Sequence, residues 1–117
     1  MTTLTELNLQ HNAVTSLDAL DGLSNLQTLD VSYNALATLA PVASCVRLTT
    51  LLADNNQLTS LDGVSGLQML TRLSVNHNTL TDVSPLAVCT ALTELDISNN
   101  TPVSYTHLRA HETGRNL

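Results

Sequence analysis

The chain has 117 residues, a formal net charge of −6, four arginines and no lysine. Nucleic acids and anionic membranes reward clustered positive charge, so neither is an expected partner. No apolar run approaches the roughly 18 residues of a membrane span, and Met1 to Glu6 lacks the basic-then-apolar order of an export signal. Phe and Trp are absent. A core built almost wholly from Leu, Val and Ala, without large aromatic fillers, points to identical layers filled in the same way.

In chain order, the first apolar pattern is Leu4-x-x-Leu7-x-Leu9-x-x-Asn12. It returns every 22 residues, without an insertion, at Leu26/Leu29/Val31/Asn34, Leu48/Leu51/Ala53/Asn56, Leu70/Leu73/Val75/Asn78 and Leu92/Leu95/Ile97/Asn100. The Leu-x-Leu step has the two-residue period of a strand that buries one face, so each repeat is expected to give one short strand paired in parallel with its neighbours. After each Asn come further apolar columns at plus 2, plus 5, plus 8 and plus 11. The last three, Leu17/Leu20/Leu23 in the first repeat, are spaced by three, which suits a 3₁₀ segment on the opposite side. Asp18, Ala40, Asp62 and Ser84 stand just ahead of that segment, and all but Ala40 are candidate helix caps. Pro41 and Pro85 follow at a position where a missing N–H costs little.

Asn12, Asn34, Asn56, Asn78 and Asn100 form a polar column inside an apolar pattern, which is costly unless satisfied. At the bend where the backbone leaves the ladder, their amides can serve the freed backbone groups from repeat to repeat. They are assigned a structural role.

Over residues 4 to 101 these columns resemble the leucine-rich-repeat family, specifically its 22-residue class. Repeat 3, with Leu58-Thr59-Ser60-Leu61-Asp62-Gly63-Val64, is similar to repeats of phosphatase regulators and cytoskeletal or ciliary scaffolds. Repeat 4, with Leu80-Thr81-Asp82-Val83-Ser84-Pro85-Leu86, is similar to internalins, which bind host receptors. The resemblance implies an α/β fold: a right-handed solenoid of about 4.5 repeats with a parallel sheet on its concave face and 3₁₀ or short helical segments on its convex face. It also implies that the concave face is the usual binding surface. On that face Tyr33, Leu52, Asp54 and Arg72 are the larger or more distinctive groups and are the candidate partner-binding residues.

After Asn100 the pattern fails, with Pro102 and His111 at apolar positions, and composition changes abruptly. The eleven residues Val103 to Thr113 resemble, codon by codon, the translation of a transposase-type sequencing adapter. Residues 1–101 are therefore read as the repeat domain and 102–117 as a non-native or disordered tail, whose His107, His111, Arg109 and Arg115 carry no function. The repeat domain is in turn expected to be an uncapped fragment of a longer solenoid.

The sequence presents no catalytic constellation, no cofactor-binding loop and no metal site. His11 and His77 share one repeat position but lie three layers apart, about 14 Å at the spacing of parallel strands. Asp30 and Asp54 lack a third ligand. Cys45 and Cys89 are two repeats apart in the plus 11 column, with Leu67 between them. Their Cα separation of roughly 10 Å is too long for a disulfide. The expected function is a protein-interaction module without enzymatic activity, without cofactors, and belonging to a larger intracellular scaffold or regulatory protein. A fragment of an extracellular internalin-like adhesin is the alternative.

Overall fold

The computed structural model describes residues 3–100. Its five strands are β1 (Glu6–Asn8), β2 (Thr28–Asp30), β3 (Thr50–Leu52), β4 (Arg72–Ser74) and β5 (Glu94–Asp96), and they form one parallel sheet in chain order. Register follows the 22-residue period without slip, so Leu7, Leu29, Leu51, Leu73 and Leu95 lie side by side. From Leu29 onward these central leucines are buried, and the residues on either side of them in each strand stand on the opposite, more open face. The ladder continues past the strands as named: the N–H groups of Leu9, Val31, Ala53 and Val75 each donate to a carbonyl of the next repeat.

The three-residue apolar spacing has a direct counterpart in the backbone. Leu20 N–H donates to Leu17 C=O, Leu23 to Leu20 and Leu26 to Leu23, and the same chain of bonds recurs through Leu39–Leu48, Leu61–Leu70 and Val83–Leu92. Every third residue therefore closes a turn and also points its side chain inward, so one spacing satisfies both the core and the backbone. In three repeats this arc includes a 3₁₀ segment: Asp18–Leu20, Ala40–Ser44 and Ser84–Val88.

Repeat 3 departs from the expectation, and no 3₁₀ segment forms at Asp62. Gly63 has φ +99°, and a Cβ there would lie 2.6 Å from the Leu39 carbonyl oxygen and 2.8 Å from Ala40 Cα. Glycine lets the chain turn in the left-handed region and press directly on the backbone of the previous repeat, so a sequence of turns replaces the helical start.

The capping expectation also needs correction. Asp18, Ala40 and Ser84 are the first residues of their segments, not the caps. Leu17, Leu39 and Val83 occupy the cap position and give no side-chain bond. The acceptors sit two residues before the segments: Ser16 Oγ, Thr38 Oγ1 and Asp82 Oδ1 take the N–H groups of Asp18, Ala40 and Ser84 at 2.9–3.1 Å. An oxygen at that earlier position reaches the first free N–H of the segment, and a residue already inside the segment cannot.

From Asn34 onward, each Asn of the polar column bridges two repeats through backbone groups. Asn56 Nδ2 donates to Ala53 C=O of its own repeat at 3.2 Å and to Val31 C=O of the previous one at 3.0 Å, while its Oδ1 accepts the Leu36 N–H at 3.0 Å. Asn34, Asn78 and Asn100 repeat this arrangement, and Asn12 Nδ2 donates to Gln10 C=O. Cys45 and Cys89 are buried and free. Burial pushes both thiols above their ordinary range, with Ser44 pulling Cys45 back and Asp21 adding to the rise. The expected tail, 102–117, lies outside the described residues.

Candidate interaction face

The face opposite the buried leucines is a lattice set by strand register. Along one row stand Asn8, Asp30, Leu52, Ser74 and Asp96, each paired with its neighbour across the sheet. Adjacent members of such a row are about 4.8 Å apart. Leu52 is its one apolar member and is half-buried. Its neighbour in sequence, Leu51, faces the core.

Two residues further along each repeat a second polar row is tied into the first. Gln10 Nε2 donates to Asp30 Oδ2 at 2.7 Å, and Asp30 Oδ1 accepts the Ser32 N–H at 3.0 Å. Asp54 Oδ1 accepts both the Ser74 hydroxyl at 2.6 Å and the Asn76 N–H at 2.8 Å, while the Asp54 N–H donates to Ser32 Oγ. Asn76 Nδ2 reaches Asp96 and Ser98. Burial pushes the Asp96 carboxyl up, but the Ser98 hydroxyl and N–H, the Asn76 amide and the His77 charge outweigh it, holding Asp96 below its ordinary value. Small polar side chains thus fix these carboxylates without neutralising them.

The third row was not legible as a distinct feature. His11, Tyr33, Asn55, His77 and Asn99 all have φ between 56° and 59°. They belong to a left-handed rim beyond the strands, where the chain turns just ahead of the Asn column, and not to the strand face proper. His and Asn tolerate that conformation better than most residues, and their recurrence directly before each ladder Asn was the available signal. Within this rim the His11 and Tyr33 rings stack, with centroids 4.4 Å apart and planes 9° from parallel.

The four candidate residues therefore occupy different settings. Leu52 stands mid-sheet. Asp54 is held by Ser74 and Asn76. Tyr33 is on the rim and 49% exposed. Arg72 opens β4 and pairs with Glu94 at 3.3 Å, both side chains being largely exposed. The structure joins Asp30 to Leu52 by register and Asp54 to Ser74 by a bond. It pairs Arg72 with Glu94 and places Thr50 and Glu94 beside it in register. Among the described residues no three His, Cys, Asp or Glu side chains gather to hold a metal ion, and no helix is long and apolar enough to cross a membrane.

A ladder of identical layers, an Asn column binding neighbouring repeats and arcs of three-residue turns define a leucine-rich-repeat solenoid. The leucine-rich-repeat family matches residues 2–44, 24–66 and 68–109, and the chain belongs to it. No curated protein matches it by sequence. Among solved structures, internalin C2 of Listeria monocytogenes is 29% identical with a TM-score of 0.81, over 92% of this chain and 48% of that one. A functional domain of InlJ from the same organism, which includes a cysteine ladder, is 31% identical with a TM-score of 0.77, over 91% of this chain and 23% of that one. A chain of the Drosophila melanogaster SNF/U2A′ complex is 28% identical with a TM-score of 0.71, over 81% of this chain and 58% of that one. The chain thus spans about half, or less, of the internalins it resembles. Leucine-rich-repeat proteins generally mediate protein–protein interaction, and the family and its internalin-like members are typically non-enzymatic.

Proposed function

We propose that this chain is a non-catalytic recognition module that holds a protein partner on the concave sheet face. The observation that carries the reading is Leu52: a half-buried leucine at the centre of a fixed polar lattice, two strands from either edge of the sheet. Binding energy in protein interfaces concentrates at such a central anchor within a polar surround. The parallel ladder and the Asn column hold that surround in place before a partner arrives, which reduces the ordering cost of association. Tyr33, Asp54 and Arg72 complete the partner-facing set.

We place the module in an intracellular scaffold or regulatory protein. Two buried thiols, two layers apart in an otherwise leucine column, serve as small hydrophobes, the usage of a reducing compartment. The similarity to internalin C2 over 92% of the chain favours the second reading, an extracellular adhesin.

A photo-crosslinking side chain at position 52 and, separately, at Gln68 on the turn side tests the face. Crosslinks from position 52 and none from Gln68 are expected, followed by weakened binding of the identified partner by Tyr33→Ala, Leu52→Arg and Arg72→Ala with unchanged melting. Crosslinks from Gln68 alone would assign binding to the convex side. An export signal upstream in the complete reading frame would favour the adhesin.

A further inference from the structure

The polar lattice around Leu52 is strongly biased in charge. Glu6, Asp30, Asp54, Glu94 and Asp96 stand on the strand face or directly after it, against Arg72 alone. That guanidinium is already matched with Glu94. The bonds made by Asp30 and Asp54 come from a Gln amide, a Ser hydroxyl and backbone N–H groups, all of them neutral donors. They fix the carboxylates in place and leave their charge uncompensated. A partner that covers this face must supply the opposite charge, because like or absent charge would leave desolvated carboxylates unpaired.

The apolar feature is placed within that field. Leu52 lies one strand from Asp30 and two from Asp96 in its row, and Asp54 follows it in sequence on the same side. Beside it a shallow concavity of about 330 Å³ is lined by Glu6, Leu7, Asn8, Thr28, Asp30 and Leu52. The stacked His11 and Tyr33 rings add an aromatic surface at the rim of these same first two repeats. Aromatic faces attract guanidinium and ammonium groups.

We propose that the concave face docks a basic polypeptide segment in which one apolar side chain stands between cationic ones. The apolar side chain seats on Leu52, and a guanidinium beside it pairs with Asp30 and reaches the His11–Tyr33 ring pair. The inference rests on the concave-face reading above and narrows it to a partner of stated chemistry.

The test uses the full chain and a fluorescent peptide alternating Arg and Leu, with counterparts carrying Glu or Gln in place of Arg. Fluorescence anisotropy should show saturable binding of the Arg peptide only, weakening as salt rises. Leu52→Arg should weaken that binding by about tenfold or more, as loss of a central anchor does. Asp30→Asn, which keeps the acceptor for the Ser32 N–H, should weaken it about threefold, in the range of a single charge contact. Asp62→Asn, the same charge change on the turn side, should leave it unaltered. Thermal melts of each variant separate binding from folding. Saturable binding of the Glu peptide that Leu52→Arg abolishes would overturn the basic partner while sparing the concave-face reading. So would the absence of any binding up to about 1 mM, an affinity far below that of specific interfaces. Binding that ignores Leu52→Arg and falls equally with Asp30→Asn and Asp62→Asn would overturn both.

Discussion

The first and third repeats carry the same pattern and differ in what it achieves. Leu51 and Ala53 are fully enclosed, whereas their equivalents Leu7 and Leu9 are only partly buried against the core. Asn56 serves backbone groups in two repeats; the Asn12 amide donates to Gln10 within its own. In a stack where each layer touches only its neighbours, a residue's worth depends on how many neighbours it has, and the letter in the sequence does not reveal that. The first layer is therefore the place where the pattern should be energetically cheapest to disturb.

The largest contrast lies between leucines in equivalent positions. Leu73, 1% exposed in β4 with a layer on either side, should lose about 2–5 kcal/mol as Leu73→Ala. Leu7→Ala should cost roughly half of that or less, because part of its surface is already hydrated. Chemical denaturation of the two variants measures the difference. Equal losses would show that the first layer is as enclosed as the fourth.

Asn56→Ala comes next. It removes the acceptor of the Leu36 N–H, at about 1–3 kcal/mol for that orphaned group, and leaves the Val31 and Ala53 carbonyls with the Asn34 and Asn78 amides respectively. The same change at Asn12 should cost roughly 1 kcal/mol or less, since that amide is exposed. Hydrogen exchange at Leu36 should accelerate in the Asn56 variant before the rest of the ladder responds.

A glycine pair gives a smaller contrast. Gly63→Ala adds a Cβ against the Leu39 carbonyl at a positive φ and should cost about 2–3 kcal/mol, combining strain and clash. Gly22 also has a positive φ but no atom within 4 Å of an added Cβ, so its alanine variant should lose about 1 kcal/mol from strain alone. Thermal melting of both distinguishes the two contributions.

The smallest effect concerns pH. The Asp96 carboxyl is held below its ordinary range, so the unfolded chain binds its proton first as pH falls, and the stability it confers is present above that range and lost on acidification through it. Melting temperature measured downward from pH 6 should fall less steeply in Asp96→Asn than in the natural chain. Identical slopes would remove Asp96 from the account.

The strands, their register, the buried columns and the parallel order were legible because a strict 22-residue period leaves one way to stack the layers without exposing leucines. Other features were not. The true caps Ser16, Thr38 and Asp82 lie two residues from the positions that propensity favours, since capping depends on which N–H stays free once the turn has formed. Asp62 reads as the cap of a helical start, yet the chain turns at Gly63 with a positive φ, close against the Leu39 and Ala40 backbone. The left-handed rim went unread because His, Tyr and Asn share no obvious class, only a conformation.

Sequence alone determined the repeat, the sheet and the row in which Leu52 stands, because periodicity and side-chain alternation are local properties that a chain carries with it. Tertiary structure decided which carboxylates are held, which repeats bury their leucines fully and how Tyr33 meets His11. Those outcomes depend on groups about 22 residues apart in sequence becoming neighbours across a strand spacing of about 4.8 Å, a distance that exists only after the layers have stacked.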